Sequence, residues 1–387
     1  MSNENTFPRS LLRQPKEECL QYFNDLTIAH PRLVEAFDDL IKMIRRGCPG
    51  TLVSLYGPSG VGKSTLLKKI RKQLSEEMLP ELEKDPARIP LVVDELLGPD
   101  SGIFNWKDLY RRLLVSMDEI LVDRKIVYET IEAPPNRRIY FKTGPRSVTA
   151  DLRFAVEQTI KERRPIAVLL DESQHLAKMA SGRKLHDQLD CLKSLSNRTG
   201  VLFVLLGTYE LLIFRNLNAQ LSRRSISVHF GRYLLDDKRD IEAFKAVLLT
   251  FQKHLPLKLE PDLIGHWDYF YERSIGCVGV LKDWLSRALS EALDEKADCL
   301  SDKHLEIYAL SVDQCDKMLS DALDGEKKFI ESSAKRRDLR ARLGLVTEST
   351  RNKGLAQKRS ATRAARPKSK RNLRRGRRVA KRDPIAP

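Results

Sequence analysis

The sequence predicts an α/β fold: a parallel sheet flanked by helices, then a helical region and a basic tail. Three observations predict it. Apolar runs of strand length at 51–56, 89–96, 166–173 and 201–210 alternate with stretches of helical periodicity. Strands apolar on both faces are those of buried parallel sheets. The first run leads straight into a glycine-spaced loop, Gly57 to Thr65, that opens a helix. From about 236 the strand patterns stop and helical ones take over.

Each element follows in order. Residues 1–50 read as a helical lead-in, with Leu33, Phe37, Leu40, Ile41 and Ile44 at helical spacing and Gly47 as a stop. Residues 51–56 form the first strand, and a helix is expected from Ser64 to Leu74. A second strand lies in 89–96 and an amphipathic helix in 104–124. Residues 125–147 break the pattern, with β-like runs around Pro134-Pro135-Asn136 as in a hairpin. The third strand ends at Asp171-Glu172, a helix spans Lys184 to Arg198, and the fourth strand ends near Thr208. The expected organisation is thus a lead-in at 1–50, an α/β domain at 51–235, a helical domain at 236–323 and a tail at 324–387.

Composition excludes several classes. The 387 residues hold no 18-residue apolar run, and the N-terminus has no apolar signal core. Neither a membrane span nor export is expected, which favours the cytoplasm. The six cysteines include no C-x-x-C pair, so they read as thiols in a reducing compartment. Of the net charge of +16, residues 351–387 carry +14, from 15 Lys/Arg and one Asp. The body is nearly neutral. The tail lacks large apolar residues and is expected to be disordered.

The loop matches G-x-x-x-x-G-K-S at Gly57, Gly62, Lys63 and Ser64. Its nine residues, with Pro58, Ser59, Gly60, Val61 and Thr65, let backbone N–H groups turn around phosphate oxygens. Lys63 supplies a charge to the β- and γ-phosphates, and Ser64 a hydroxyl to Mg²⁺. The helix adds the positive end of its dipole. Asp171 and Glu172 lie at the carboxyl edge of the sheet, where open α/β folds bind ligands. Asp171 suits Mg²⁺, and Glu172 suits a base for the attacking water. Thr208 ends a buried strand within reach of a terminal phosphate, though strand-ending threonines are common. Arg223 and Arg224 are placed either as surface residues or to face a neighbouring copy's phosphate.

With these pieces in order, the chain resembles an AAA+ ATPase, and more narrowly the TnsC/TniB family of transposition regulators. The carriers are LTIAHPRLVEAF, GPSGVGKST, AVLLDESQHL, VLFVLLGTYEL and QLSRRSISVHFGRY, within about 20–320. The resemblance implies an AAA+ P-loop sheet with a helical lid, binding ATP with Mg²⁺. It implies Thr208 as a first sensor and Arg223, before Arg224, as the trans-acting arginine. Ile28 and His30 match the segment beside adenine, although His30 equally fits a cap before Pro31. Lys282 is the nearest match to a lid sensor, with Val280 where some relatives have Arg. Lys107, Arg111 and Lys125 match the DNA-facing side chains. Lys107 and Arg111 also fit the solvated face of an amphipathic helix. The implied partners are double-stranded DNA, further copies in a ring or filament, transposase subunits and a target selector of TniQ/TnsD type in a bacterial cytoplasm. The tail fits a nucleic-acid clamp, a transposase-docking peptide or a solubilising segment. A replication-initiator or helicase-loader ATPase is the alternative.

Overall fold

The computed structural model describes residues 6–47, 51–98, 104–119, 122, 149–178, 183–215, 225–329 and 333–345. It comprises two units, Met1–Phe329 and Ile330–Pro387. The expected hairpin at 125–147, Lys125, Arg223, Arg224 and the 351–387 segment lie outside the described residues.

In the first unit, α1 (Lys16–Asp25) and α2 (Pro31–Arg46) precede β1 (Leu52–Tyr56). Proline at the first position starts α2, His30 caps it, and Arg45 and Arg46 face the negative end of its dipole. Next come α3 (Lys63–Lys84), β2 (Leu91–Glu95), α4 (Trp106–Ser116) and α5 (Thr149–Arg163). Then β3 (Ala167–Asp171), α6 (His175–Lys178), α7 (Arg183–Thr199), β4 (Leu202–Gly207), α8 (Leu212–Arg215) and β5 (Ser225–His229) complete the α/β layer.

The five strands are parallel in the order β2-β3-β4-β1-β5. Period-two alternation divides the sheet between two cores. Val168 and Leu170 face one with α4, α5 and α7. Ala167 and Leu169 face the other with α2 and α3. The register sets Tyr56 beside Gly207 and His229, and Glu95 beside Asp171. The strands' carboxyl ends are therefore level.

Helices α9 (Lys238–His254), α10 (Trp267–Ser274), α11 (Val278–Asp294) and α12 (Asp302–Tyr308) enclose a third core around Phe244, Phe251, Phe270, Trp284 and Leu285. Phe23 of α1 is fully buried in that core, so the lead-in packs with the helical layer. Helix α13 (Val312–Phe329) closes the unit. In the second unit the described residues form α14 (Ser333–Arg342).

Three elements differ from expectation. Helix α3 extends past Leu74 to Lys84, burying Met78 and accommodating Pro80. Helix α4 stops at Ser116 instead of reaching 124. Asp118 takes a left-handed φ of 56°, and the amides of Asp118 and Glu119 donate to the carbonyls of Val115 and Leu114. That is a Schellman stop built without glycine. Helix α5 has no counterpart in the sequence reading. Its buried face carries Glu157 and Thr159, which blurs the apolar period. Glu157 is tolerated there because Arg153 and Arg198 hold it at 3.1 and 2.6 Å.

Candidate nucleotide site

The loop leaves β1 at Gly57 and enters α3 at Lys63. Gly62 has φ 110° and Gly60 has φ 74°, conformations that a side chain would strain. The Gly57 amide donates to the Gly207 carbonyl at 3.3 Å, tying the loop's start to the end of β4. The helical layer closes on its other end. The Val280 amide donates to the Gly60 carbonyl at 3.1 Å, and a Cβ on Gly279 would meet that oxygen at 2.4 Å. Only glycine at 279 permits this approach.

Lys63 is buried, and its ammonium donates to the carbonyls of Gly57 at 3.2 Å and Pro58 at 2.9 Å. Burial lowers its pKa, opposed by the charges of Asp171 and Glu172. The Ser64 hydroxyl donates to Asp171 Oδ2 at 3.1 Å across 107 residues of sequence. Burial raises the Asp171 pKa, opposed by hydrogen bonds from the Glu172 amide and Ser64. A hydroxyl and a carboxylate converging at a helix N-terminus are hard-oxygen donors that fit Mg²⁺. A divalent cation there would reverse the penalty on the carboxylate.

Glu172 adopts φ 50°, the left-handed region for a residue with a side chain. Asp171 Oδ1 accepts its amide at 2.9 Å, and the Ser173 amide donates to the Leu206 carbonyl at 2.8 Å. These bonds hold the bend against β4. The Gln174 amide donates to the Glu172 carboxylate, while its oxygen accepts from the Thr208 amide at 3.2 Å. Gln174 therefore bridges the two residues singled out in the sequence, a role it did not signal beyond lying two residues after Glu172. The Thr208 hydroxyl oxygen is buried without a hydrogen-bond partner among the described residues.

On the other side of the loop, Ile28, His30, Val61, Gly62, Thr65 and Lys282 share a narrow pocket of about 40 Å³. His30 lies both in this pocket and at the cap of α2. Its Nδ1 is 3.0 Å from the Tyr233 hydroxyl and accepts the Leu33 amide at 3.4 Å. Burial, and then the charge of Lys69, push its pKa down to about 4. A ring neutral in the fold but protonated in the unfolded chain below about 6.5 contributes stability above that pH and loses it toward 4. His30→Asn keeps a capping oxygen without the titration. Between pH 7 and 5 its melting temperature should fall less than that of the unsubstituted protein, as read by thermal unfolding at each pH.

Lys282 is in this pocket, but its ammonium donates to the carbonyls of Asn24 at 2.6 Å and Leu26 at 2.7 Å, closing the end of α1. Lys107 and Arg111 lie half-buried on α4, and each is engaged by another group. Their neighbour Arg112 is paired with Asp94 and Asp108, both at 3.1 Å.

Residues 45–212 match the family model of an AAA domain. A comparison with curated proteins finds no significant match. Among solved structures, the Aeropyrum pernix ORC1 protein in complex with DNA aligns at 16% identity over 79% of this chain and 70% of that one, with a TM-score of 0.49. The Aeropyrum pernix ORC2 protein in its ADP form aligns at 16% identity over 74% and 71%, with a TM-score of 0.48. Domain III of the Thermotoga maritima replication initiation protein DnaA aligns at 12% over 78% and 97%, with a TM-score of 0.39. Among the described residues no helix is long and apolar enough to cross a membrane. A phosphate loop on an interior strand, an acidic bend two strands away and the AAA-domain match give this chain the AAA+ P-loop fold, that of nucleotide-hydrolysing ATPases.

Proposed function

We propose that the chain is an ATP-hydrolysing regulator of transposition of the TnsC/TniB type, which assembles on duplex DNA and links a target selector to the transposase. The observation that carries the ATPase part is the convergence of Lys63, Ser64 and Asp171 beside the bent Glu172. The transposition part rests on the sequence segments LGTYEL and QLSRR and on the lead-in LTIAHPRLVEAF.

ATP would sit with its phosphates in the turn from Gly57 to Ser64 and its base in the pocket of Ile28 and His30. Mg²⁺, when held by Ser64 and Asp171, neutralises charge on the β- and γ-phosphates. Glu172 orients a water and accepts its proton as the water oxygen bonds to the γ-phosphorus. The bond from that phosphorus to the β-phosphate oxygen breaks, and ADP leaves with the electron pair. Gln174 must release the Glu172 carboxylate for this, and the Thr208 hydroxyl offers a hydrogen bond to the transferred phosphoryl group. Arg223, with Arg224 beside it, would reach the γ-phosphate of an adjoining copy. Nucleotide and neighbour then share a site and each favours the other. Lys107, Arg111 and Lys125 would contact DNA phosphates without regard to sequence, Lys107 and Arg111 exchanging their present partners.

The test combines turnover and imaging. With duplex DNA and a slowly hydrolysed ATP analogue, electron micrographs should show ordered spirals, and DNA should raise the ATPase rate. Arg223→Ala with Arg224→Ala should cut that rate by about 10³-fold or more. A monomer whose turnover ignores both DNA and these substitutions contradicts the reading.

A further inference from the structure

The loop has two ends, and the structure tells them apart. The Lys63 ammonium, which in this motif addresses the β- and γ-phosphates, rests on the carbonyls of Gly57 and Pro58. The terminal-phosphate end of the loop is therefore at 57–59, while the Ile28 and His30 pocket lies at Val61 and Gly62. A second cleft, of about 510 Å³, opens at that terminal end. Pro58, Ser59 and Thr208 form one wall, and α13 forms the other with Lys317, Asp321 and Lys328.

Helix α13 is anchored firmly there. Arg232, 7% exposed, makes a two-pronged contact with Glu326 at 2.9 and 3.3 Å. Gly325 lies so close to Tyr209 that a Cβ would come within 2.1 Å of its ring. Phe329 stacks on His229 with ring centroids 4.7 Å apart. These three contacts bracket Lys328. Positions 317, 321, 324 and 328 recur every three to four residues and share one helix face. On that face Lys317 matches Asp321 at 3.0 Å, and Asp324 is matched at 3.6 Å by Lys327 from the flank of the helix. Lys328 has no carboxylate partner among the described residues. Glu210 also lines the cleft and is itself engaged. Lys282, the nearest lysine of α11, is committed to backbone carbonyls on the base side.

We propose that Lys328 binds the terminal phosphate of a nucleoside triphosphate held at the loop, so that α13 distinguishes triphosphate from diphosphate. The proposal rests on the nucleotide-site reading above. The ammonium is a point charge on a flexible stem, suited to an oxyanion that is present in one nucleotide and missing from the other. The buried Thr208 hydroxyl supplies a second donor from the facing wall.

The experiment measures affinities of the full chain for ADP and for ATPγS, each with Mg²⁺, by calorimetry. Lys328→Ala should weaken ATPγS about tenfold and leave ADP within about twofold, the scale of one hydrogen bond to a charged group. Lys328→Arg should restore most of the loss. Unchanged affinities, or equal losses for both nucleotides, would overturn the assignment while leaving the nucleotide site standing. An unsubstituted protein that binds neither nucleotide would overturn both.

Discussion

Lys63→Ala should abolish ATP binding and assembly on DNA together. The ammonium is buried, and it is the cation closest in sequence and space to the loop carbonyls at 57 and 58. Removing one partner of a buried, hydrogen-bonded charge contact costs about 2–5 kcal/mol, or roughly 30- to 4,000-fold in affinity. Nucleotide titration reads the first effect, and sedimentation with duplex DNA reads the second. A melting temperature measured alongside separates loss of binding from loss of the fold, because the Gly57 and Pro58 carbonyls also lose their donor. Retained assembly without nucleotide binding would break the proposed linkage between the two.

Glu172→Gln should have the opposite profile, with nucleotide binding and assembly kept and turnover lost. The substitution preserves size and backbone, so the left-handed bend, the bond that the residue-172 amide donates to Asp171 and the bond that the Ser173 amide donates to Leu206 remain. What disappears is a base for the attacking water, worth about 10²–10⁴ in rate. Single-turnover hydrolysis and electron micrographs of the same preparation check both halves. Normal turnover in this variant would remove Glu172 from the chemistry. Failure to assemble would show that the carboxylate supports the interface instead.

Much of this site was legible in the chain because its logic is local. The loop from Gly57 to Thr65 is a contiguous device: glycines where φ is positive, a lysine and a hydroxyl at the start of a helix. The apolar strands were legible because burial on both faces demands an unbroken run of apolar residues. Asp171 and Glu172 followed from ending such a run with acids. By contrast, α5 was hidden because two of its buried positions, Glu157 and Thr159, are polar, and one of the arginines that neutralise Glu157 comes from α7. The end of α4 was hidden because a left-handed Asp118 replaced the glycine that usually marks such a stop.

By itself, the sequence determined a phosphate-loop motif at the edge of a parallel sheet, since backbone conformation and residue chemistry in one short stretch suffice for that. Only the tertiary structure decided what surrounds that loop. It set Gln174 between Glu172 and Thr208, turned Lys282 to the carbonyls of Asn24 and Leu26, and brought α13 back to the loop. Those contacts join residues up to 258 positions apart, such as Asn24 and Lys282. Their energies come from buried pairs and close packing that exist only once the separate segments have met.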